Sequence, residues 1–215
     1  MRSLGQSLWD RLRSNLKLKL LLLLVLPTVT TTAYLIVQRV ILLPTWRLPV
    51  TWLDKVIPFD PVWVWAYLSL YLLMPIAPLL TRSREDLLRY TRGVLFYFAI
   101  GLICFALFPS PGPRPLPPHE AWLYNGLISI DRPYNSIPSL HATCAVFAVL
   151  YAGYASRETN RRRLRLALLG VAWLWVGLIL YSTVATRQHF AVDLLPGIIL
   201  GVVAFRWAIA KPRDT

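Results

Sequence analysis

Apolar residues come in long blocks along this chain and not in short alternations. Six blocks stand out, at about 20–43, 60–80, 93–108, 138–155, 166–186 and 189–210. Several reach the roughly 17–25 residues that a helix needs to cross a bilayer. The pattern predicts an all-α integral membrane protein, a bundle of six transmembrane helices. Pro27 falls inside the first block and can kink it. Asp60-Pro61 opens the second with a helix-start signal. The third block is short, and a Pro-rich loop, about 109–137, follows it. A few residues separate the last two blocks, so these helices should form an antiparallel hairpin. Ahead of the first block, Leu4, Leu8, Leu12 and Leu16 recur every four residues beside Trp9, with Arg2, Asp10, Arg11 and Arg13 as the polar side. That spacing predicts an amphipathic helix lying in the headgroup region. The run behind it is long enough to span and lacks a small-residue cleavage site, which argues against a cleaved signal peptide. Two units result: an N-terminal amphipathic, cytoplasmic segment, 1–19, and a six-helix membrane domain, 20–215.

Charge sets the orientation. The 215 residues carry a formal net charge of +13, which in a soluble protein would suggest nucleic acid. Here the basic residues cluster between the spans, and topology accounts for them without a nucleic-acid partner. With the N-terminus inside, 17 of the 23 Lys and Arg residues fall on the inner side. Both termini are therefore expected in the cytoplasm. The absence of a long N-terminal targeting segment points to a bacterial inner membrane. Cys104 and Cys144 both lie within spans and read as small buried hydrophobes. Trp46, Trp52, Trp63 and Trp122 lie near span ends and read as interfacial anchors. Nothing in the sequence sets an oligomeric state.

The same topology gathers chemistry on the outer, periplasmic face. The 109–137 loop, the start of the fourth span and the turn between the fifth and sixth all belong there. Ionisable residues beside an apolar core are costly to insert and are functional candidates by default. His189 and Asp193 are four residues apart and share a helix face. A carboxylate on one ring nitrogen fixes the tautomer, frees the other lone pair and stabilises the imidazolium. A histidine so held is a competent nucleophile toward phosphorus. His141 lies in the first turn of the fourth span, where Asn135 or Ser136 could cap the helix and Pro138 suits a first-turn position. Backbone amides there, with the Ser139 hydroxyl, would bind an anion. His141 would then act as acid toward the leaving oxygen and as base for water. Arg114 and Arg187 could grip phosphate oxygens, with Arg132 as a further candidate or a partner for Asp131. His119 has no motif around it and reads as exposed and uninvolved. The three histidines include no closely spaced pair that could hold a metal, so neither a metal nor another cofactor is expected.

These residues resemble the motifs of the type 2 phosphatidic acid phosphatase superfamily. Pro138-Ser139-Leu140-His141 resembles its Pro-Ser-Gly-His segment, His189 with Asp193 its Arg…His…Asp segment, and Pro113-Arg114-Pro115 the end of its Lys…Arg-Pro segment. The resemblance runs from about the second span to the sixth. It implies a six-helix membrane bundle in which His189 forms a phosphohistidine, Asp193 supports it and His141 is the acid. The family's Lys falls on Leu107, its third-motif Arg on Thr183 and its Gly on Leu140. Pro-Ser-Leu-His and the Gln-His-Phe setting of His189 look more like the inositol phosphorylceramide and sphingomyelin synthase branch. The resemblance thus implies a membrane lipid-phosphate phosphatase. Its substrate would be a phosphatidic acid, a phosphatidylglycerophosphate, or a polyprenyl phosphate or diphosphate. The alternatives are a phosphotransferase that moves a phospho-headgroup between lipids and a non-catalytic lipid-binding scaffold.

Overall fold

The computed structural model describes residues 4–41, 43–115, 120–157, 159 and 161–210, with side chains from Trp9 onward. Among these residues the regular structure is helical. In chain order the helices are α1 (Leu4–Arg13), α2 (Leu16–Val37), α3 (Trp52–Val56), α4 (Val64–Leu68), α5 (Leu70–Leu73), α6 (Ile76–Leu80), α7 (Arg84–Leu107), α8 (Trp122–Ile130), α9 (Leu140–Ala155), α10 (Arg162–Ala185) and α11 (Ala191–Ile209). A 3-10 turn, Pro61–Trp63, leads into α4, and Asp60 caps it by accepting from Val62 N at 2.9 Å. This is the helix start expected at Asp60-Pro61.

Among the described residues, five segments are long and apolar enough to cross a membrane: α2, Pro61–Leu80, α7, α10 and α11. The stretch expected as the fourth span is α9, a 16-residue helix. At 1.5 Å per residue it extends about 24 Å, short of a hydrocarbon core of about 30 Å. Twelve of its residues are buried. It is the central helix of the bundle and packs against α5, α6, α7, α10 and α11. A helix enclosed on all sides must be apolar all round, which is why its sequence reads as a span. The α10–α11 hairpin exists as a short turn, but each of its helices packs chiefly on α9. α7 starts nine residues before the expected third span. Ser83 caps it by accepting from Asp86 N at 3.0 Å, and its first charges pair: Asp86 meets both Arg89 and Arg157 at 3.3 Å. Paired charges extend a helix past the edge of its apolar block. The Pro-rich loop contains a helix, α8, that the apolar pattern does not separate from its surroundings. α2 ends at Val37, earlier than expected, and runs through Pro27 without stopping.

Small residues bring α11 onto α9. A Cβ added at Gly197 would lie 2.4 Å from the Ser139 carbonyl oxygen, and one at Gly201 would lie 2.8 Å from that of Thr143. Thr143 Oγ1 donates to the Gly197 carbonyl at 2.9 Å, and Ser139 N donates to the Asp193 carbonyl at 3.1 Å. Glycines four apart let two helix backbones touch, a packing mode common in membranes. The approach sets the start of α9 directly beside the start of α11.

The opposite end is basic. Arg11 belongs to the side of α1 expected to face solvent, yet it is buried. It donates to the carbonyls of Leu80 at 3.1 Å and Ala155 at 2.9 Å. Lys19 is fully buried and donates to the Arg11 carbonyl at 2.5 Å and the Leu79 carbonyl at 3.0 Å. Trp9 and Leu16 point outward instead. The last turn of α1 is thus docked on the ends of α6 and α9. Cys144 is buried with its Sγ 3.5 Å from Tyr97 Oη, and Cys104 is half-buried; both are free thiols. Trp46, Trp52 and Trp122 are exposed, while Trp63 packs edge-on to Tyr181 with centroids 4.8 Å apart.

Candidate active site

The close packing of α9 on α11 determines which side chains meet. Ser139, not Asn135 or Ser136, is the N-cap of α9: its Oγ accepts from Ala142 N at 3.3 Å. Pro138 precedes the cap. His141 is the second residue of the helix. Across the interface, His189 lies just before Phe190, the N-cap of α11, and Asp193 is the third helical residue. Asp193 is fully buried and has two tasks. Its Oδ2 accepts from Phe190 N at 3.1 Å, and its Oδ1 lies 3.3 Å from His189 Nδ1. That second contact has an ion-pair distance but does not form a hydrogen bond. With Nδ1 turned to the carboxylate, Nε2 is the nitrogen left for chemistry.

His141 and His189 face one another with ring centroids 6.1 Å apart and planes inclined by 50°. The His141 ring stacks on Tyr67 at 3.8 Å, with an interplanar angle of 18°, and Tyr71 meets it edge-on at 6.4 Å. Both histidines line one end of a cavity of about 620 Å³. Its walls come from α2, the second span and α7, and are largely apolar, with Leu26, Met74, Val94 and Phe98 among them. Tyr34, Asp131 and Asn135 line it too. A volume of this size is typical of a small-molecule pocket.

The expected arginines are placed differently from one another. Arg114 is half-buried and forms a salt bridge with the Asp131 carboxylate while also donating to the Asp131 carbonyl. Asp131 in turn accepts from Tyr34 Oη at 2.5 Å and Asn135 Nδ2 at 3.3 Å. Arg114 therefore stands next to the cavity with its fork engaged. Arg187 does not line the cavity: it donates to the Ile57 carbonyl at 2.8 Å, and its backbone is left-handed, with φ 54°. The tight turn sends its side chain away from His189. Arg132 is exposed, and Asp131 pairs with Arg114 and not with it. His119 lies outside the described residues.

Among the described residues, most buried side-chain polar atoms that lack a hydrogen bond sit at this end. They include Arg114 Nε, Ser136 Oγ, Gln188 Oε1, His141 Nε2, His189 Nδ1 and Asp193 Oδ1. Native proteins rarely bury such atoms without a reason, and a polar ligand is one. Tyr124, in α8, adds a buried phenol whose pKa burial raises, with the Arg114 charge and Gln188 working the other way. Tyr34, Tyr67 and Asp131 form part of the site and carry no spacing signal in the sequence. Gly197 and Gly201 do carry one, as a small-xxx-small pair within an apolar span.

No curated protein and no solved structure matches this chain. A family model described as the PAP2 superfamily, whose members are generally phosphatases and phosphotransferases, matches residues 33–207. That stretch runs from α2 into α11 and holds both facing histidines, Asp193 and most of the residues that line the cavity. The chain belongs to the PAP2 superfamily.

Proposed function

We propose that the protein is a membrane lipid-phosphate phosphatase working through a phosphohistidine on His189. The observation that carries this reading is the pair of histidines facing each other at the end of an apolar cavity, with a buried carboxylate behind one of them. A phosphoryl group held between the rings would have a nucleophile on one side and an acid on the other, the arrangement that in-line transfer requires. His189 Nε2 attacks phosphorus, Asp193 steadies the imidazolium, and His141 protonates the leaving oxygen. His141 then takes a proton from the water that cleaves the phosphohistidine. The apolar walls would take the hydrocarbon part of a lipid phosphomonoester or diphosphate. Ser139 and the first-turn amides of α9 would bind phosphate oxygens, with the Arg114 charge nearby. In this reading α9 is the sixth membrane helix, both termini are cytoplasmic and the site opens to the outer face. Seventeen basic residues on one side support that orientation. Purified protein should release inorganic phosphate from a lipid phosphate, resist EDTA and be inhibited by vanadate. Loss of activity in EDTA that returns with a divalent metal would overturn it.

One observation favours a second reading, phosphotransfer to an alcohol. The site has few uncommitted cations. Arg114 is spent on Asp131 and Arg187 on a carbonyl, while Leu107 and Thr183 stand where the superfamily carries Lys and Arg. A phosphodiester headgroup has one negative charge and needs less neutralisation than a monoester dianion. The inositol phosphorylceramide synthase-like branch uses such donors. Mass spectrometry of lipids after incubation, with and without diacylglycerol or ceramide, separates the two. A new phospholipid that appears with the acceptor marks transfer, and free phosphate without it marks hydrolysis.

A further inference from the structure

The turn that carries His189 is held by a segment far away in sequence. Residues 51–60 precede the second span, and residues 185–191 join α10 to α11. Three hydrogen bonds cross between them. Ala191 N donates to Asp54 Oδ1 at 2.8 Å, Arg187 Nη2 to the Ile57 carbonyl at 2.8 Å, and Asp60 N to the Ala185 carbonyl at 3.0 Å. Asp54 sits in α3 with 5% of its surface exposed. Its second oxygen accepts from Thr51 N at 2.7 Å and Thr51 Oγ1 at 2.6 Å, which fixes the carboxylate in place.

The bond to Ala191 matters because of what α11 lacks. The first turn of a helix leaves amides without partners, and a cap side chain normally accepts from one of them. The cap of α11 is Phe190, which has no acceptor. Asp193 takes the Phe190 amide with Oδ2, and Asp54 takes the Ala191 amide from outside. This division leaves Asp193 Oδ1 turned to His189. Without Asp54, the nearest carboxylate able to serve the first-turn amides is Asp193 itself, and each oxygen it lends them is taken from His189.

We propose that Asp54 is a positioning residue for the His189–Asp193 pair, acting through the Ala191 amide. It touches neither the substrate nor His189. The inference rests on the reading of His189 as the nucleophile.

A double-mutant cycle tests it on the purified full-length protein, with a lipid phosphate as substrate and vanadate as probe. Asp54→Ala removes the acceptor. Ala191→Pro removes the donor at a first-turn position, where proline suits the backbone and the preceding residue is already extended. Each should lower kcat by roughly 10- to 100-fold, the scale of a small misplacement of a catalytic group. KM should stay within about twofold, and vanadate inhibition should weaken in step with kcat. The double variant should be no worse than either single one, because both break one bond. Thr51→Val removes one of the two Thr51 donors to Asp54 and keeps the Ala191 bond, so it should lower kcat less than either Asp54→Ala or Ala191→Pro. If Asp54→Ala fails to fold, Ala191→Pro alone decides. Full kcat in Ala191→Pro, or losses that multiply in the double variant, overturns the role of Asp54. His189→Ala is run beside them. If it is dead while Ala191→Pro is fully active, only the Asp54 inference falls. If His189→Ala turns over normally, the underlying reading falls and Asp54 with it.

Discussion

The two ends of the bundle bury charge in opposite ways. At the basic end, cations are met by backbone oxygens and carboxylates, and two of them, Lys19 and Arg11, are buried. Lys19 donates to the Arg11 and Leu79 carbonyls, Arg11 to Leu80 and Ala155, Arg92 to Trp207 and Ala208, and Arg157 pairs with Asp86. At the histidine end, His141 Nε2, His189 Nδ1 and Asp193 Oδ1 are buried without a hydrogen bond. A buried polar atom left unpaired costs about 1–3 kcal/mol. The basic end largely avoids that cost by tying helix ends together, although Arg92 Nε is also left unpaired there. The histidine end bears it, and the pairs it does form, Arg114 with Asp131 and Asp54 with Ala191, surround the histidines without reaching their reactive nitrogens. One end is built to hold the bundle, the other to meet a ligand.

Substitutions should therefore separate activity from stability according to the end they touch. The largest effect belongs to His189→Ala. It should lower kcat by roughly three or more orders of magnitude, since loss of a nucleophile removes the covalent route. The melting temperature in detergent should not fall, because the ring makes no good hydrogen bond. Retention of a tenth of wild-type turnover would remove His189 from the role.

His141→Ala should show a split. General acid–base catalysis contributes about 10²–10⁴-fold, and the acid matters most when the leaving alcohol is poor. Hydrolysis of a lipid phosphate should suffer the full penalty and that of an activated aryl phosphate a smaller one. Equal penalties would assign His141 to phosphate binding.

At the basic end the pattern reverses. Arg11→Ala strands the Leu80 and Ala155 carbonyls and should cost about 1–3 kcal/mol of stability. It should be seen as a lower melting temperature with kcat unchanged in the folded fraction. A change in kcat at constant stability would mean that the two ends are coupled.

The smallest effect is expected for Arg187→Ala. This residue follows the missing superfamily Arg by four positions and sits two before His189, yet it donates to the Ile57 carbonyl. Two other hydrogen bonds hold the same strap, so kcat should change by less than about threefold, the scale of one exposed or half-buried hydrogen bond. A loss of a hundredfold would show that Arg187 swings to the phosphate.

Much of this was legible in the chain because membranes write in long apolar blocks. Five spans stand close to where those blocks predict, and the errors have physical causes. α7 extends past its block because Asp86 finds Arg89 and Arg157. α9 reads as a full span because it is enclosed on every side. α8 is hidden because Trp122–Ile130 is short and flanked by proline. His189 and Asp193 were visible because they lie four residues apart at the start of an apolar block, although His189 sits just before the cap of α11 and not on its helical face, and His141 because it opens an apolar block. Tyr67, Asp131 and Asp54 were not, since they reach the site through tertiary packing across 74, 58 and 135 positions from His141 or His189. Gly197 and Gly201 were readable in principle; their spacing records that α11 approaches α9 too closely for a side chain.

The most direct test of the account is to trap the covalent intermediate. Purified protein is mixed with a lipid phosphate, quenched in alkali within the turnover time, digested and mapped by mass spectrometry. The account predicts a phosphate adduct on His189, stable in alkali and lost in acid, and absent from the His189→Ala variant. Turnover with no adduct, or an adduct on another residue, would contradict it.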